Sequence, residues 1–255
     1  RPIPEAIQAW QGFLNTVYGC PGRGNSILCQ RPTLLPKGQW GNPPRPYQLL
    51  QLAEAWDALA SCAPELNEVD AYQYDLVNVT RHILSELAGV YHERLMKSFS
   101  KGNKERFHNE AGAFLELLDD MDALLATRAE FLLGKWIADA RRWGNTEEEK
   151  ALLEWNARTQ ITLWGPKDSV LHDYAQKQWS GLIKGFYQPR WKQFFEALEA
   201  SMDSHRSFNA DAFESQIRTW EDDWTRQTEA YPAIPIGDPV DVACRLWQKY
   251  HLRME

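Results

Sequence analysis

Apolar residues recur at intervals of three and four along most of the chain, which is the spacing of one buried face of an α-helix. A clear example is the stripe formed by Phe213, Ile217, Trp220 and Trp224. No run of alternating polar and apolar residues is long enough to predict a sheet. The pattern therefore predicts an all-α bundle of about nine helices, and the short connections after Gly102 indicate mostly antiparallel neighbours.

The predicted helices are bounded by recognisable sequence signals. They run from Pro4 to the region of Gly19, between Pro46 and Pro64, from Asn67 to Lys97, from the Asn103 break through Leu125, from Arg128 to Trp143, from Thr146 to Thr162, from Asp173 through an interruption at Pro189 to Leu198, over Phe213 to Trp224, and from Asp238 to Tyr250. The strongest local signal is a capping box formed by Thr146 and Glu149. Residues 19–46 are predicted to be a long Pro/Gly-rich loop, and loops of that length often carry a function.

Length and charge limit the function classes. The chain has 255 residues, which predicts one large domain over 1–255. Its 28 Lys and Arg against 35 Asp and Glu give 28 − 35 = −7, an acidic balance that argues against nucleic acid as a partner. No apolar run approaches the roughly 20 residues of a membrane span, so no membrane partner is expected.

Because the chain begins Arg1-Pro2 without a Met, it is interpreted as a piece of a longer precursor, with an independent mature protein as the alternative.

The unusual feature of the composition is its 12 tryptophans, beside 9 tyrosines and 10 phenylalanines. About eight of these tryptophans fall on helical apolar stripes and are predicted to pack in the core. Trp164 instead stands at a helix end beside a Gly165-Pro166 turn, where it either folds back on its own helix or forms a stacking platform for a sugar ring. Trp40, in the long loop, has no predicted role.

No metal or cofactor is predicted. His82 and Glu86 lie one turn apart, but no second His follows at ligand spacing. The acidic stretch 119–122 lacks the glycine and the later bidentate glutamate of a calcium loop. Pairs of carboxylates are too numerous in this sequence to assign any of them to acid–base catalysis.

The four cysteines leave two alternatives open. Cys20 and Cys29 flank a Gly/Pro-rich segment at 21–25, whose ends a short disulfide would restrain, and two free buried thiols are the alternative. Cys62 and Cys244 form either a second bridge or two core thiols. A disulfide would favour export to an oxidising compartment.

Three stretches resemble the C-terminal domain of the alpha-N-acetylglucosaminidases, glycoside hydrolase family 89. They are residues 162–166 (TLWGP), 173–182 (DYAQKQWSGL) and 186–191 (FYQPRW). Supporting matches are residues 74–81 (YDLVNVTR), the segment 128–136 with FLLGKW at its end, Tyr231-Pro232 and Gly237-Asp238. The resemblance extends from Ala9 to Tyr250, and several separated motifs in the same order make it specific.

This resemblance implies both a role and its limits. Complete enzymes of the family have a small N-terminal domain, a (β/α)-barrel and this helical domain, and they remove terminal α-linked N-acetylglucosamine with retention of configuration. Both catalytic glutamates are expected in the barrel, so no catalytic residue is expected in this chain. The implied partners are an N-acetylglucosamine-terminated glycan and the enzyme's own barrel domain, on which the helical domain packs while walling the sugar pocket.

The resemblance also implies roles for individual residues. Trp164 and Tyr174 match family residues that line the sugar pocket, and Val170 matches an aliphatic contact between them. Cys20 and Cys29 correspond to a family loop closed by a disulfide. Export to the periplasm, the extracellular space or a lysosome is expected of the full-length protein. The alternative function is a non-catalytic helical module that binds glycans or a protein.

Overall fold

A computed structural model describes residues 2–20, 26–35 and 45–254. Within these residues the chain forms ten α-helices and no strand, so the predicted all-α fold is confirmed. The helices are α1 Pro4–Asn15, α2 Leu49–Ala60, α3 Ala63–Leu66, α4 Asp70–Ser100, α5 Lys104–Leu125, α6 Leu133–Arg141, α7 Glu147–Ile161, α8 Gln188–Ser204, α9 Ala210–Thr225 and α10 Pro239–Tyr250.

Helix ends follow the local signals where those signals are strong. The Thr146 hydroxyl accepts a hydrogen bond from the Glu149 backbone N–H at 3.2 Å, and the Glu149 carboxylate accepts from the Thr146 N–H at 3.3 Å. The predicted capping box before α7 is therefore confirmed. Asp238 accepts from the Asp241 N–H at 2.7 Å and Pro239 takes the first position of α10. These contacts satisfy backbone donors that the first turn of a helix leaves unpaired.

The long helix α4 forms the centre of the bundle and packs against α2, α5 and α10. Trp56 of α2 is fully buried against it and donates from Nε1 to Thr80 Oγ1 at 3.0 Å. A second aromatic layer surrounds Trp191 of α8, whose ring centroid lies 5.0 Å from that of Phe114 and 5.7 Å from that of Phe195. Burial of one such side chain is worth about 1.5–3 kcal/mol, so these layers provide a rigid frame for the loops at its edge.

Most tryptophans belong to this frame, as predicted. Three are fully or almost fully buried, namely Trp56, Trp191 and Trp224. Five more are partly buried and pack against the core, namely Trp10, Trp136, Trp179, Trp220 and Trp247. Trp143, Trp155 and Trp164 are exposed, and Trp40 lies outside the described residues. The prediction of about eight core tryptophans is confirmed.

The prediction that a helix begins at Asp173 is wrong. Residues 162–182 form an irregular loop, and the helix begins only with a π-helical turn at Ile183–Tyr187 that continues into α8. Asp173 has a left-handed backbone with φ of 56° and a buried side chain bonded to distant residues, so it does not cap a helix. The predicted interruption near Pro189 coincides with the end of the π turn, since Pro189 is the second residue of α8, where π-helical bonding gives way to α-helical bonding.

Two smaller differences concern helix bounds, and the first of them raises the helix count from about nine to ten. Pro64, expected only to end the second helix, begins a separate turn, α3, because proline is compatible with the first turn of a helix. The helix expected from Arg128 starts at Leu133 instead, after a short 3-10 turn at Ala129–Phe131.

The described middle of the long loop, residues 26–35, is anchored in the protein interior. The carbonyl oxygen of Leu28 accepts from Trp191 Nε1 at 3.0 Å, and that of Cys29 accepts from Arg190 Nη2 at 2.9 Å. Cys29 is buried as an unbridged thiol, so the structure does not form the predicted Cys20–Cys29 disulfide. The Cys29 thiol lies in the interior beside the buried Tyr187 hydroxyl, whereas Cys20 follows α1 at a partly buried position.

The Cys29 thiol is expected to be unreactive in the folded protein. Burial raises its pKa to about 12, so almost no thiolate exists at neutral pH. Iodoacetamide without reductant should modify Cys29 only after denaturation, as followed by peptide mass mapping. Recovery of a peptide pair linked through Cys20 and Cys29 would contradict the structure and restore the disulfide interpretation.

Candidate functional site

A tight turn at the end of α7 places Trp164 at the surface. The backbone N–H of Trp164 donates to the Thr159 carbonyl at 2.7 Å, and Trp164 takes a left-handed backbone with φ of 62°. Bulky residues seldom adopt this conformation, and the surrounding structure has to enforce it. The Trp164 side chain at this turn is 39% exposed.

Tyr174 meets Trp164 across the base of the loop. Their ring centroids lie 4.7 Å apart with the planes inclined at 45°, and Tyr174 is 42% exposed. The backbone N–H of Asp173 donates to the Thr162 carbonyl at 2.8 Å and so brings the two ends of the 162–173 segment together. The two residues that the resemblance assigned to the sugar pocket thus form one exposed aromatic pair.

Val170 lies on the outer turn between them. The Ser169 hydroxyl accepts from the Leu171 N–H at 3.2 Å and donates to the Leu171 carbonyl at 3.1 Å, which closes this turn. The Val170 side chain at its tip is 90% exposed. Its assignment to the pocket stays a prediction.

A buried network of ions fixes the second half of the loop. Asp173 Oδ1 accepts from Arg190 Nη1 at 2.8 Å, and the same Nη1 donates to Glu221 Oε1 at 2.8 Å. Glu221 Oε2 in turn accepts from Arg31 Nη2 at 2.5 Å. Asp173, Arg190, Glu221 and Arg31 come from four separate segments of the chain and are all buried. Tyr174 follows Asp173 directly, so this network sets where its ring emerges.

The Asp173 carboxylate is also bound on its second oxygen. Asp173 Oδ2 accepts from the Arg31 backbone N–H at 2.9 Å and lies 2.8 Å from His172 Nδ1. Burial alone would raise the pKa of Asp173, but the Arg190 guanidinium and the His172 ring outweigh burial and hold this pKa below its usual value. Asp173 is therefore a charged anchor at neutral pH and not a proton donor.

The far end of the loop is tied to the frame by Asp122. Its Oδ1 accepts from the backbone N–H groups of Gly181 and Lys184 at 2.8 and 3.1 Å, and its Oδ2 accepts from the Ser180 hydroxyl at 3.1 Å. Asp122 belongs to the acidic stretch that the sequence analysis rejected as a calcium loop. It instead satisfies the open donors at the start of the helix that leads into α8.

The described residues offer no metal site, because no group of three or more His, Cys, Asp or Glu side chains among them is arranged to hold an ion. None of the helices in residues 2–20, 26–35 and 45–254 combines the length and apolar character needed to cross a membrane.

Sequence reasoning missed the ion network that supports the site. Asp173 was interpreted as a helix cap, and Arg31, Arg190 and Glu221 were given no role. One signal was available, because Arg190 and Glu221 sit beside Trp191 and Trp220 on otherwise apolar helical stripes. A charge at a core position is rarely stable without a buried partner.

Comparison with known proteins finds relatives that are similar to this chain in sequence and in fold. Residues 2–249 match the family described as alpha-N-acetylglucosaminidase (NAGLU) C-terminal domain. Alpha-N-acetylglucosaminidase of Homo sapiens is 35% identical over 257 residues, which cover 98% of this chain and 34% of the human protein. A family 89 glycoside hydrolase from Clostridium perfringens, solved in complex with PUGNAc, aligns with a TM-score of 0.89 at 29% identity, over 98% of this chain and 30% of the bacterial one.

A second solved structure from Clostridium perfringens holds its substrate, GlcNAc-alpha-1,4-galactose, and aligns with the same TM-score of 0.89 at 29% identity over 98% of this chain. The chain spans about a third of the length of the relatives it matches. Because the family match covers nearly all of its residues and the fold agrees, the chain belongs to the alpha-N-acetylglucosaminidase C-terminal domain family.

Proposed function

We propose that this chain serves as the C-terminal helical domain of an alpha-N-acetylglucosaminidase-like glycoside hydrolase that removes terminal α-linked N-acetylglucosamine. In that enzyme the Trp164–Tyr174 pair walls the sugar pocket beside a catalytic barrel that lies outside this chain. The observation that carries the proposal is the exposed pair itself, held in a strained loop by buried ions while most other tryptophans pack in the core.

The chemistry of the pair suits a sugar ring. One face of a pyranose presents C–H groups, which pack against the flat face of an aromatic ring, while its hydroxyls need polar neighbours. Trp164 and Tyr174 combine large apolar faces with an indole N–H and a phenol hydroxyl. Because the loop is anchored at Thr162, Asp173 and Asp122, the rings are already ordered before a ligand binds, which lowers the entropic cost of binding.

The chain by itself is expected to be inactive. A retaining glycosidase needs two carboxyl groups flanking the glycosidic bond, one of them able to give up a proton. The two carboxylates of the ion network, Asp173 and Glu221, are buried and bonded to guanidinium groups. They cannot reach a substrate, which agrees with catalytic glutamates that lie in a separate barrel. Measurable turnover of an aryl α-N-acetylglucosaminide by this chain would refute this part of the proposal.

Replacing Trp164 with alanine in the full-length protein should lower kcat/KM for an aryl α-N-acetylglucosaminide by about 10- to 100-fold. The loss of a large apolar contact is worth about 1.5–3 kcal/mol, and about 1.4 kcal/mol corresponds to a factor of ten. The matched control is Trp143→Ala, which removes a tryptophan that is 83% exposed at the end of α6. The control should keep wild-type kinetics within about twofold, as expected of a surface change.

Equal kinetics of the Trp164→Ala and wild-type enzymes would show that Trp164 does not wall the pocket. Tight binding of N-acetylglucosamine by the isolated chain would favour the glycan-binding module, since a wall formed by one domain alone should bind the sugar only weakly.

A further inference from the structure

His172 stands directly before Asp173 and two residues before Tyr174 in the irregular loop 162–182. Its Nδ1 lies 2.8 Å from Asp173 Oδ2, the oxygen that also accepts from the Arg31 backbone N–H. The His172 side chain is 29% exposed, whereas the side chains of Asp173 and Arg190 are buried. His172 therefore bonds the Asp173 carboxylate from the solvent side, while the guanidinium group of Arg190 bonds it in the interior.

The strength of the bond between His172 and Asp173 depends on the protonation of the imidazole ring. A neutral ring donates from Nδ1 in only one of its two tautomers, whereas a protonated ring has a donor on both nitrogens and carries a positive charge. Coulomb attraction then adds to the hydrogen bond with the carboxylate. The bond is therefore strongest while the ring is protonated, and it weakens as the pH rises through the range of about 5 to 8 in which histidine changes charge.

The carboxylate of this pair keeps its charge over that range. Burial raises the pKa of Asp173, but Arg190 and His172 outweigh burial and hold this pKa below its usual value. The Cys29 thiol and the Tyr187 hydroxyl, which lie near Asp173, stay neutral because burial raises the pKa of each. Among the groups around Asp173, a change of charge between pH 5 and pH 8 is therefore expected of the histidine.

The other charges around His172 come from residues 26–35, from α8 and from α9. Glu214 of α9 is a second carboxylate in electrostatic range, because its pKa is lowered mainly by Arg218 and to a smaller extent by Arg31 and His172. The complete set consists of the carboxylates of Asp173, Glu214 and Glu221 and the guanidinium groups of Arg31, Arg190 and Arg218. Each of these guanidinium groups is paired with a carboxylate, so no unpaired cation among them opposes protonation of the ring.

The bonds of Asp173 determine the position of Tyr174. Tyr174 follows Asp173 in the chain, and its ring centroid lies 4.7 Å from that of Trp164. Asp173 has a left-handed backbone with φ of 56°, and its N–H donates to the Thr162 carbonyl at 2.8 Å. Because the backbone itself disfavours this conformation, it persists only while surrounding contacts hold it. A stronger bond to the Asp173 carboxylate therefore keeps the Tyr174 ring in place.

We propose that His172 is a positioning residue of the sugar site, whose protonated ring strengthens the Asp173 anchor and holds Tyr174 more firmly at pH 5.5 than at pH 8. This proposal rests on the proposed function, in which Tyr174 walls the sugar pocket. An aromatic ring that is ordered before the ligand arrives lowers the entropic cost of binding. The substrate should therefore bind more tightly at the lower pH, and His172 acts on it only through Asp173 and Tyr174.

Hydrogen exchange in the isolated chain, followed by NMR at pH 5.5 and pH 8, tests the anchor without any enzyme activity. The readout is the protection factor of the Asp173 N–H relative to an unstructured peptide of the same sequence. In the wild type this factor should be about three- to tenfold higher at pH 5.5. In His172→Asn, where a neutral amide N–H replaces Nδ1, it should differ by less than about twofold between the two pH values.

An amide in another loop is the internal control for this measurement. The Ile236 N–H donates to the Ala126 carbonyl at 2.8 Å. Its protection factor should be the same in the wild type and in His172→Asn at each pH, which separates a local effect at the site loop from a change in global stability.

Steady-state kinetics of the full-length protein test the consequence for the sugar site. At pH 5.5 the KM of His172→Asn for an aryl α-N-acetylglucosaminide should be about three- to tenfold above the wild-type KM, and at pH 8 the two values should agree within about twofold. The kcat should stay unchanged, because a wall contact binds the ground state and the transition state alike.

The matched control variant is His108→Asn. It removes an exposed pair of the same chemistry, in which His108 Nδ1 lies 2.9 Å from Glu199 Oε1 between α5 and α8. The KM of this variant should equal the wild-type KM at both pH values.

The outcomes separate this proposal from the proposed function. An Asp173 protection factor that changes equally with pH in the wild type and in His172→Asn would overturn the proposal. A ratio of the two KM values that is the same at pH 5.5 and pH 8 would also overturn it, because the role of His172 would then be purely structural. A pH-dependent protection factor in a protein whose full-length form does not hydrolyse the glycoside would remove the proposed function and keep His172 as the pH-dependent support of the loop.

Discussion

Replacing Arg190 with methionine is expected to lower the free energy of unfolding of this chain by about 3–5 kcal/mol. Arg190 is fully buried and its Nη1 bonds both Asp173 and Glu221, while its Nη2 bonds the Cys29 carbonyl. Methionine fills a similar volume but leaves two carboxylates close together with one cation fewer. The expected loss in the free energy of unfolding therefore comes mainly from uncompensated buried charge and only in small part from lost packing.

Urea denaturation followed by tryptophan fluorescence measures this effect. Arg190→Lys should fall between the wild type and Arg190→Met, because lysine keeps the charge but lacks the fork that reaches both carboxylates. The matched surface control is Arg245→Met, which removes an exposed pair with Asp241 on α10 and should cost less than about 1 kcal/mol. If Arg190→Met and Arg245→Met were equally stable, the network would not be holding the loop.

The helices were predictable because their signals are local. The capping box of Thr146 and Glu149 lies within four residues, and the stripe of Phe213, Ile217 and Trp224 repeats over three turns of one helix. Such patterns require only that one face of a helix be apolar and that its first donors be satisfied. The assignment of about eight tryptophans to the core followed from the same rule.

The irregular loop was not predictable in this way, because its determinants are distant in the chain. Asp173 followed by Tyr174 resembles the start of a helix, yet the partners of its carboxylate lie 17 residues away at Arg190 and 142 residues away at Arg31. The four charged residues of this network come from four segments of the chain, so they leave no periodic pattern in the sequence. The left-handed backbone of Asp173 accompanies those contacts, so local preference pointed to the wrong structure.

For the candidate site, the resemblance supplied the residue assignments and the structure supplies their geometry. The residues alone left Trp164 between two interpretations, and Tyr174 entered only through the resemblance. The structure adds their 4.7 Å pairing and the ions that hold it. It does not add a contact for Val170 or a bridge between Cys20 and Cys29, two assignments that the resemblance implied.

Gly134 joins two family-like segments that are far apart in the sequence. It is the second residue of α6, and a Cβ atom there would overlap the backbone oxygens of Tyr231 and Pro232. The neighbouring Leu133 N–H donates to the Ser180 carbonyl at 3.0 Å, next to the end of the site loop. A close approach of two backbones thus explains why glycine is needed between Leu133 and Lys135.

Gly134→Ala is therefore expected to lower the free energy of unfolding by about 3 kcal/mol, the upper part of the range for overpacking, because the obstructing atoms are backbone and cannot rotate away. The matched control is Gly112→Ala in α5, where a Cβ meets nothing within 4 Å. Alanine there should stabilise the chain by about 0.5–1 kcal/mol, since glycine is a poor residue for a helix interior. The two glycine-to-alanine changes thus have opposite expected signs in the same denaturation experiment. Stabilisation by Gly134→Ala would mean that the backbone of Tyr231 and Pro232 does not pack on α6 as described.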